Sequence, residues 1–384
     1  MVAKMSFFPV GNGDMTLVEL ESGRKLLIDI NIRAAADDED DDTPDVAKML
    51  RERLKRDSDG RLYVDAFLLS HPDKDHCAGL KKHFHLGSPA DWSKDADKIF
   101  IREIWSSPMV FRRATRDHVL CDDAAAFNSE ARRRVQKFRD ANGYVSDGDR
   151  ILILGEDENG KTDDLSAILI KVDEVITRVN GQHDFSMSAR LLAPHPKSDD
   201  DEEVLRSKNH SSTILNISLM GDGQSDACRF LTGGDAEVAI WERLWARHST
   251  RPDWLTYDIL QTPHHCSWHS LSYDSWSENG EDAEVCENAR NALSQTRKGA
   301  VIVATCKAIK DDENDPPCIR AAREYEAIAA TAKGTFKCVG EPEKKPAILE
   351  FEIGKSGPRL KTKVMAAAAV LGSGVIGGQP LAHG

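Results

Sequence analysis

The feature that most constrains this chain is the junction "VDAFLLSHPDKDHCAGL" at residues 64–80, where an apolar run passes directly into two histidines and two aspartates. The run reads as a buried strand, and ahead of it "TPDVAKMLRERLKR" carries apolar residues at helical spacing, with Thr43 as an N-cap and Pro44 in the first turn. Strand, helix and strand make a βαβ unit. In such sheets ligands gather beyond the carboxyl ends of the strands, so His71, Asp73, Asp75 and His76 fall where a site belongs. In an extended segment His71, Asp73 and Asp75 share one face, and a turn is then needed to bring His76 round to them.

The same pattern recurs along the chain. The opening "MSFFPVGNGDMTLVELESGRKLLIDI" reads as a pair of strands punctuated by "GNGD" and "ESGR", ending at Asp29. "RAAADDEDDDTPD" follows as a like-charged loop that cannot pack. Further strands are expected at "ADKIFIREIWSS" and "GDRILILGED", with Arg-rich helix between them up to Asp140. In the second half "HSSTILNISLM", "CRFLTGGDAE", "YDILQTPHHCSWHS" and "AVIVATC" are four apolar runs, three of them adjoining ligand-type residues. Two strand-rich halves with helices outside predict a four-layer αββα sandwich in the α/β class.

Composition narrows the chemistry. With 51 Lys and Arg against 64 Asp and Glu, the net charge of −13 argues against a general polyanion-binding surface. Positive charge is concentrated locally, in "FRRATR" (111–116) and "ARRRVQKFR" (131–139). The ordinary reading of such runs is a solvated helix face; the sharper one gives Arg132, Arg133 and Arg134 a role in substrate binding. The eight cysteines include no CxxC pair, which suits reduced thiols and a cytoplasmic protein. No apolar run approaches the roughly 20 residues of a membrane span.

His and Asp side chains with no matched thiolates suit Zn²⁺, Mn²⁺ or Fe²⁺ in a reactive site rather than a structural zinc knot. "SHPDKDHCAGL" resembles the HxHxDH metal signature of the metallo-β-lactamase superfamily, with Asp73 in place of the second histidine. It is most similar to the "SHPDxDHxGG" form in the C-terminal hydrolase domain of the ComEC-type bacterial DNA-uptake competence protein and its soluble relatives. "VGNGD" and "LLIDI" are similar to that family's opening motifs, and "SDGDRILILG", "LLAPHP", "NHSSTILNISL", "FLTGGDAE" and "LQTPHHCSWHS" to its later ones in the same order, from about Met5 to Thr305.

The resemblance implies an αββα sandwich of the metallo-β-lactamase type over residues 1–360, with an Arg-rich helical insert near 90–150 and a small-residue tail at 361–384. It implies two divalent ions, zinc or manganese: His71 and Asp73 on the first, Asp75, His76 and His265 on the second, and Asp235 bridging. Asp75 would orient the attacking hydroxide and His264 would contact substrate. The superfamily's separate mid-chain histidine has no clear counterpart; Asn209 and His210 sit near its place, and Asp29 where the fold carries its first aspartate. Where the family has "HHGS" this chain has "HHCS", and Cys77 follows the "DH" directly. Both cysteines read either as small-residue replacements or as redox-sensitive thiols.

The activity implied is that of a phosphodiesterase or nuclease. The broader superfamily adds hydrolysis of a lactam, lactone, thioester or phosphocholine ester, and a further class is a partner-bound effector or scaffold in bacterial defence or signalling. "MAAAAVLGSGVIGGQPLAHG" (365–384) reads as a loose terminus or as a contact for a protein partner or second copy.

Overall fold

The apolar runs are continuous because their strands are buried on both faces. In Leu62–Leu69, Ala66 and Leu68 point to one side and Phe67 and Leu69 to the other, and all four are buried. The protein is described by a computed structural model that places residues 1–38, 40–108, 120–157, 160–196, 211–341 and 347–361.

Two mixed sheets face one another. Along its edge-to-edge path the first runs Gly357–Leu360, Leu349–Gly354, Ala3–Phe7, Thr16–Glu19, Lys25–Ile28, Leu62–Leu69, Phe100–Ser106, Arg150–Leu154 and Leu169–Ile170. The second runs Val175–Ile176, Met187–Ala193, Ile214–Gly221, Gln224–Leu231, Tyr257–Gln261, Thr296–Ala304 and Thr335–Cys338. Pairing is parallel from Lys25–Ile28 to Arg150–Leu154 in the first sheet and from Gln224–Leu231 to Thr335–Cys338 in the second. Helices cross between these parallel strands and lie on the outer faces: Val46–Arg51 and Asp122–Asp140 on the first sheet, Val238–His248, Glu287–Leu293 and Ile319–Thr331 on the second. The inner faces meet in a core that includes Phe7, whose ring packs edge-on against Phe230 at 5.9 Å and Phe351 at 6.2 Å. This is the αββα sandwich that the strand pattern predicts.

Several local expectations are corrected. The opening segment forms three strands, because "GNGD" and "ESGR" each reverse the chain. The helix after the acidic stretch is capped by Asp45, not Thr43: its carboxylate accepts from Lys48 N at 2.9 Å. The acidic stretch itself opens with a 3-10 turn at Ala34–Asp37. Residues 90–150 are not an appended insert, since they supply the central Phe100–Ser106 strand and its crossover helix Asp122–Asp140. No helix among the described residues is long and apolar enough to cross a membrane. Asn209, His210, the 111–116 basic run and the 362–384 tail lie outside the described residues.

Candidate metal centre

Parallel strands from both sheets end at one edge of the sandwich, and each end delivers polar side chains. Lys25–Ile28 is followed by Asp29, Leu62–Leu69 by Ser70 and His71, Gln224–Leu231 by Asp235, and Tyr257–Gln261 by His264 and His265. The chain is not extended throughout 71–76, as strict alternation would require. Lys74–Cys77 is a helical turn with Asp73 at its N-cap position. That turn separates the ligand-type residues into two sets.

His71, Asp73 and Asp235 can bring one donor atom each within 4.8 Å of one another, as can Asp75, His76, Asp235 and His265. Asp235 belongs to both. Its Oδ1 lies 2.8 Å from His76 Nε2 and 3.5 Å from His265 Nε2, and Asp75 Oδ2 lies 3.3 Å from the same His265 nitrogen. On the far side of each ring a different carboxylate waits: Asp29 Oδ2 is 2.9 Å from His76 Nδ1, and Asp14 Oδ1 is 3.3 Å from His265 Nδ1. Both imidazoles therefore turn Nε2 toward the cluster, as histidine ligands do when a carboxylate holds the other nitrogen.

The supporting contacts are dense. Ser70 donates to Asp29 through its backbone N at 2.7 Å and through its hydroxyl, and Thr305 Oγ1 donates to Asp14 Oδ1 at 2.5 Å. Ser212 Oγ accepts from Asp235 N at 3.0 Å. Two glycines are dictated by close approach. A Cβ on Gly13 would lie 2.1 Å from Asn31 Nδ2 and 2.7 Å from the carbonyl oxygen of Asp75; one on Gly233 would lie 2.7 Å from Pro263 Cα. His264, His265 and Cys266 all have positive φ, at 50°, 53° and 68°. Three non-glycine residues in this region in succession mark a strained loop, held by His264 N donating to Gly234 O at 2.8 Å.

The electrostatics call for cations. Asp14, Asp29, Asp73, Asp75 and Asp235 converge on three histidines. Burial disfavours charge on His265, yet Asp235 and Asp14 outweigh it and push the ring up to about 10. Burial likewise opposes charge on His76, and Asp235 and Asp29 drive it well above the usual value. Burial pushes the carboxyl of Asp75 up, but the His265 and His76 imidazoles win and hold it at about 2. Asp235 is held well below the ordinary carboxylate range by His76 and His265 against its burial. Asp29 moves the other way, raised by burial. Protons on the histidines supply charge that the carboxylates demand, and metal ions would replace them. The donor set fits. His265 has both ring nitrogens buried without a well-aligned hydrogen bond, and nitrogen and oxygen donors suit Zn²⁺ or Mn²⁺.

His264 is half-buried beside His265, its ring centroid 6.1 Å from that of its neighbour. Of the three arginines assigned to substrate, only Arg132 is exposed. Arg134 is buried, bonded to Glu130 Oε1 at 2.8 Å and to the carbonyls of Ile101 and Arg150 at 3.0 Å. Arg133 is engaged by Glu130 and Asp149. Both hold the helix to the sheet, which corrects their assignment. Asp14 was missed: it follows a glycine turn, and only its fold-dependent contact with His265 distinguishes it from a turn former.

No protein-family model matches the chain, and no curated protein is similar to it. Solved structures similar to it include an isothiocyanate hydrolase from Delia radicum gut bacteria, at 13% identity over 91% of this chain and 99% of that one, with a TM-score of 0.39. Unliganded yeast PDE1 is similar at 12% identity over 89% of this chain and 98% of that one, with a TM-score of 0.42. A protein described as a possible metal-dependent hydrolase from Veillonella parvula is similar at 8% identity over 91% and 99%, with a TM-score of 0.37.

Proposed function

We propose that this chain is a metal-dependent hydrolase of phosphodiesters, in nucleic acid or nucleotides, working with two divalent cations, zinc or manganese. His71, Asp73 and Asp235 would hold one ion, and Asp75, His76, Asp235 and His265 the other. The observation that carries the reading is the carboxylate of Asp235, common to both donor groups. A shared carboxylate keeps two cations close enough to act together on one phosphoryl group. When bound, the pair supplies Lewis acidity and lowers the pKa of water toward neutrality.

The chain's own residues do the rest. Asp75 is 39% exposed whereas Asp235 is 3% exposed, so Asp75 is the carboxylate that can meet solvent and orient an attacking water. His264, half-buried on the strained loop, is placed to hydrogen-bond a non-bridging or departing oxygen. Asp29 and Asp14 fix the rings of His76 and His265. Beside the glycine loop that leads to Asp14, a cleft of about 320 Å³ is lined by Arg33 and Lys307 and equally by Asp41 and Asp42. The similarity of "SHPDKDHCAGL" to the ComEC-type hydrolase domain supports phosphodiesters as the substrate class.

The test compares metal-free protein, protein with Mn²⁺ or Zn²⁺, and the Asp75→Ala and His76→Ala variants on single-stranded DNA, duplex DNA and cyclic nucleotides. Metal-dependent cleavage of any of these, lost in both variants, is the expected result. Metal-loaded protein that leaves every phosphodiester intact but opens a lactone or thioester would overturn the substrate assignment.

A further inference from the structure

The helical turn that carries His76, Lys74–Cys77, packs against the start of a long helix. Cys77, buried and next to His76, has its Sγ 3.5 Å from that of Cys121. Cys121 is the N-cap of the 19-residue helix Asp122–Asp140, where its sulfur accepts from Ala124 N at 3.5 Å. The two segments are clamped together: the carboxylate of Asp123 accepts from Gly79 N at 2.9 Å and Lys81 N at 2.8 Å. Cys77 is tied on its other side by a backbone β-bridge to Ile30, and its Sγ lies 3.1 Å from Asp73 O.

We propose that Cys121 and Cys77 form a reversible, peroxide-driven disulfide, with Cys121 as the thiol attacked first and Cys77 as the resolving thiol, and that this bond displaces His76. The asymmetry of the pair supports those roles. Cys121 is partly exposed and sits at the positive end of a helix, while Cys77 is fully buried. The hydrogen bond from Cys77, helped by the helix N–H groups and opposed by burial, pulls Cys121 down to about 6.

The chemistry balances. The Cys121 sulfur attacks one oxygen of a hydroperoxide, the O–O bond breaks, and a sulfenic acid forms with release of water or alcohol. The Cys77 sulfur then displaces the sulfenic oxygen as water and the S–S bond closes. Two thiols lose two electrons, and the hydroperoxide accepts them. Closing the gap from 3.5 Å to the ~2.05 Å of a disulfide draws the Lys74–Cys77 turn toward the helix. Because His76 is the preceding residue, its ring is pulled from Asp235, and the oxidised protein should hold metal less tightly.

The full chain, loaded with Zn²⁺, is treated with one equivalent of hydrogen peroxide, alkylated and digested with trypsin without reductant. Mass spectrometry should find peptide 75–81 joined to peptide 117–132. The link should be absent in Cys121→Ser and Cys77→Ala and reversed by dithiothreitol. In Cys77→Ala, which lacks the resolving thiol, Cys121 should stop at the sulfenic acid after one equivalent, trapped with dimedone, and reach the sulfinic acid only with a second equivalent. Bound zinc, measured by elemental mass spectrometry after gel filtration, should fall at least twofold on oxidation of the wild type but not of Cys121→Ser, whose serine still caps the helix. Wild-type protein in which Cys121 stays reduced, or reaches the sulfinic acid unlinked, would overturn the proposal. A linked peptide with unchanged zinc would overturn the displacement of His76. None of these readouts depends on the substrate.

Discussion

Asp29 Oδ2 lies 2.9 Å from His76 Nδ1, and this contact decides which nitrogen of the ring faces the metal cluster. Asp29→Asn keeps the size of the side chain but allows the amide nitrogen to face the ring, which favours the wrong tautomer. Metal affinity, measured by competition with a chromogenic chelator, should fall by about 10–100-fold. Asp14→Asn should do the same through His265.

Asp235 is common to the donor group that contains His71 and Asp73 and the one that contains Asp75, His76 and His265. Asp235→Asn should empty both positions, whereas His71→Ala should affect only the ion held with Asp73. Elemental analysis of the dialysed variants tests this. Equal metal content in the two variants would contradict a shared carboxylate.

Arg134 is buried with Glu130 and two backbone carbonyls. Arg134→Ala leaves Glu130 with Arg133 but removes the donors to the carbonyls of Ile101 and Arg150, so it should lower stability by about 1–3 kcal/mol in urea unfolding.

A Cβ at Gly13 would meet Asn31 and the Asp75 backbone, and the residue's φ of +148° disfavours any side chain. Gly13→Ala should therefore cost about 1–3 kcal/mol and loosen Asp14 and Asp75 together. Thermal unfolding and zinc titration of the same sample would show both effects.

The Cys121 thiol, pulled down to about 6, is depressed below its unfolded value. Its stabilising effect is complete above the unfolded value and is lost as pH falls through about 6. Iodoacetamide should accordingly label Cys121 at half its maximal rate near pH 6. In Cys77→Ala that midpoint should move upward, because the main hydrogen-bond donor to the thiolate is gone.

What the sequence disclosed follows the range of the forces involved. "AFLLSHPDKDH" and "FLTGGDAE" announce strand ends that carry ligands, because burial on both faces leaves an uninterrupted apolar run. Asp14 was not legible as a site residue, since its contacts are with Thr305 and His265, some 290 and 250 residues away. Arg133 and Arg134 were misread for a related reason. A basic run on a helix looks solvated until the fold shows that Glu130 and the carbonyls of the Phe100–Ser106 strand and its neighbour lie beneath it. The helical turn at Lys74–Cys77 was obscured by the alternation of His71, Asp73 and Asp75, a pattern that suits an extended chain equally well.

The strand Leu349–Gly354 pairs with Ala3–Phe7, Met5 opposite Phe351, so the first sheet joins segments some 340 residues apart. During synthesis the Ala3–Phe7 strand waits without that neighbour until residues 349–354 have left the ribosome. The aspartates and histidines that follow the early strands must wait with it, since their partners Asp235, His265 and Thr305 also emerge late. A ribosome-bound chain truncated before residue 235 therefore lacks both Asp235 and His265 and cannot assemble either donor group that contains Asp235.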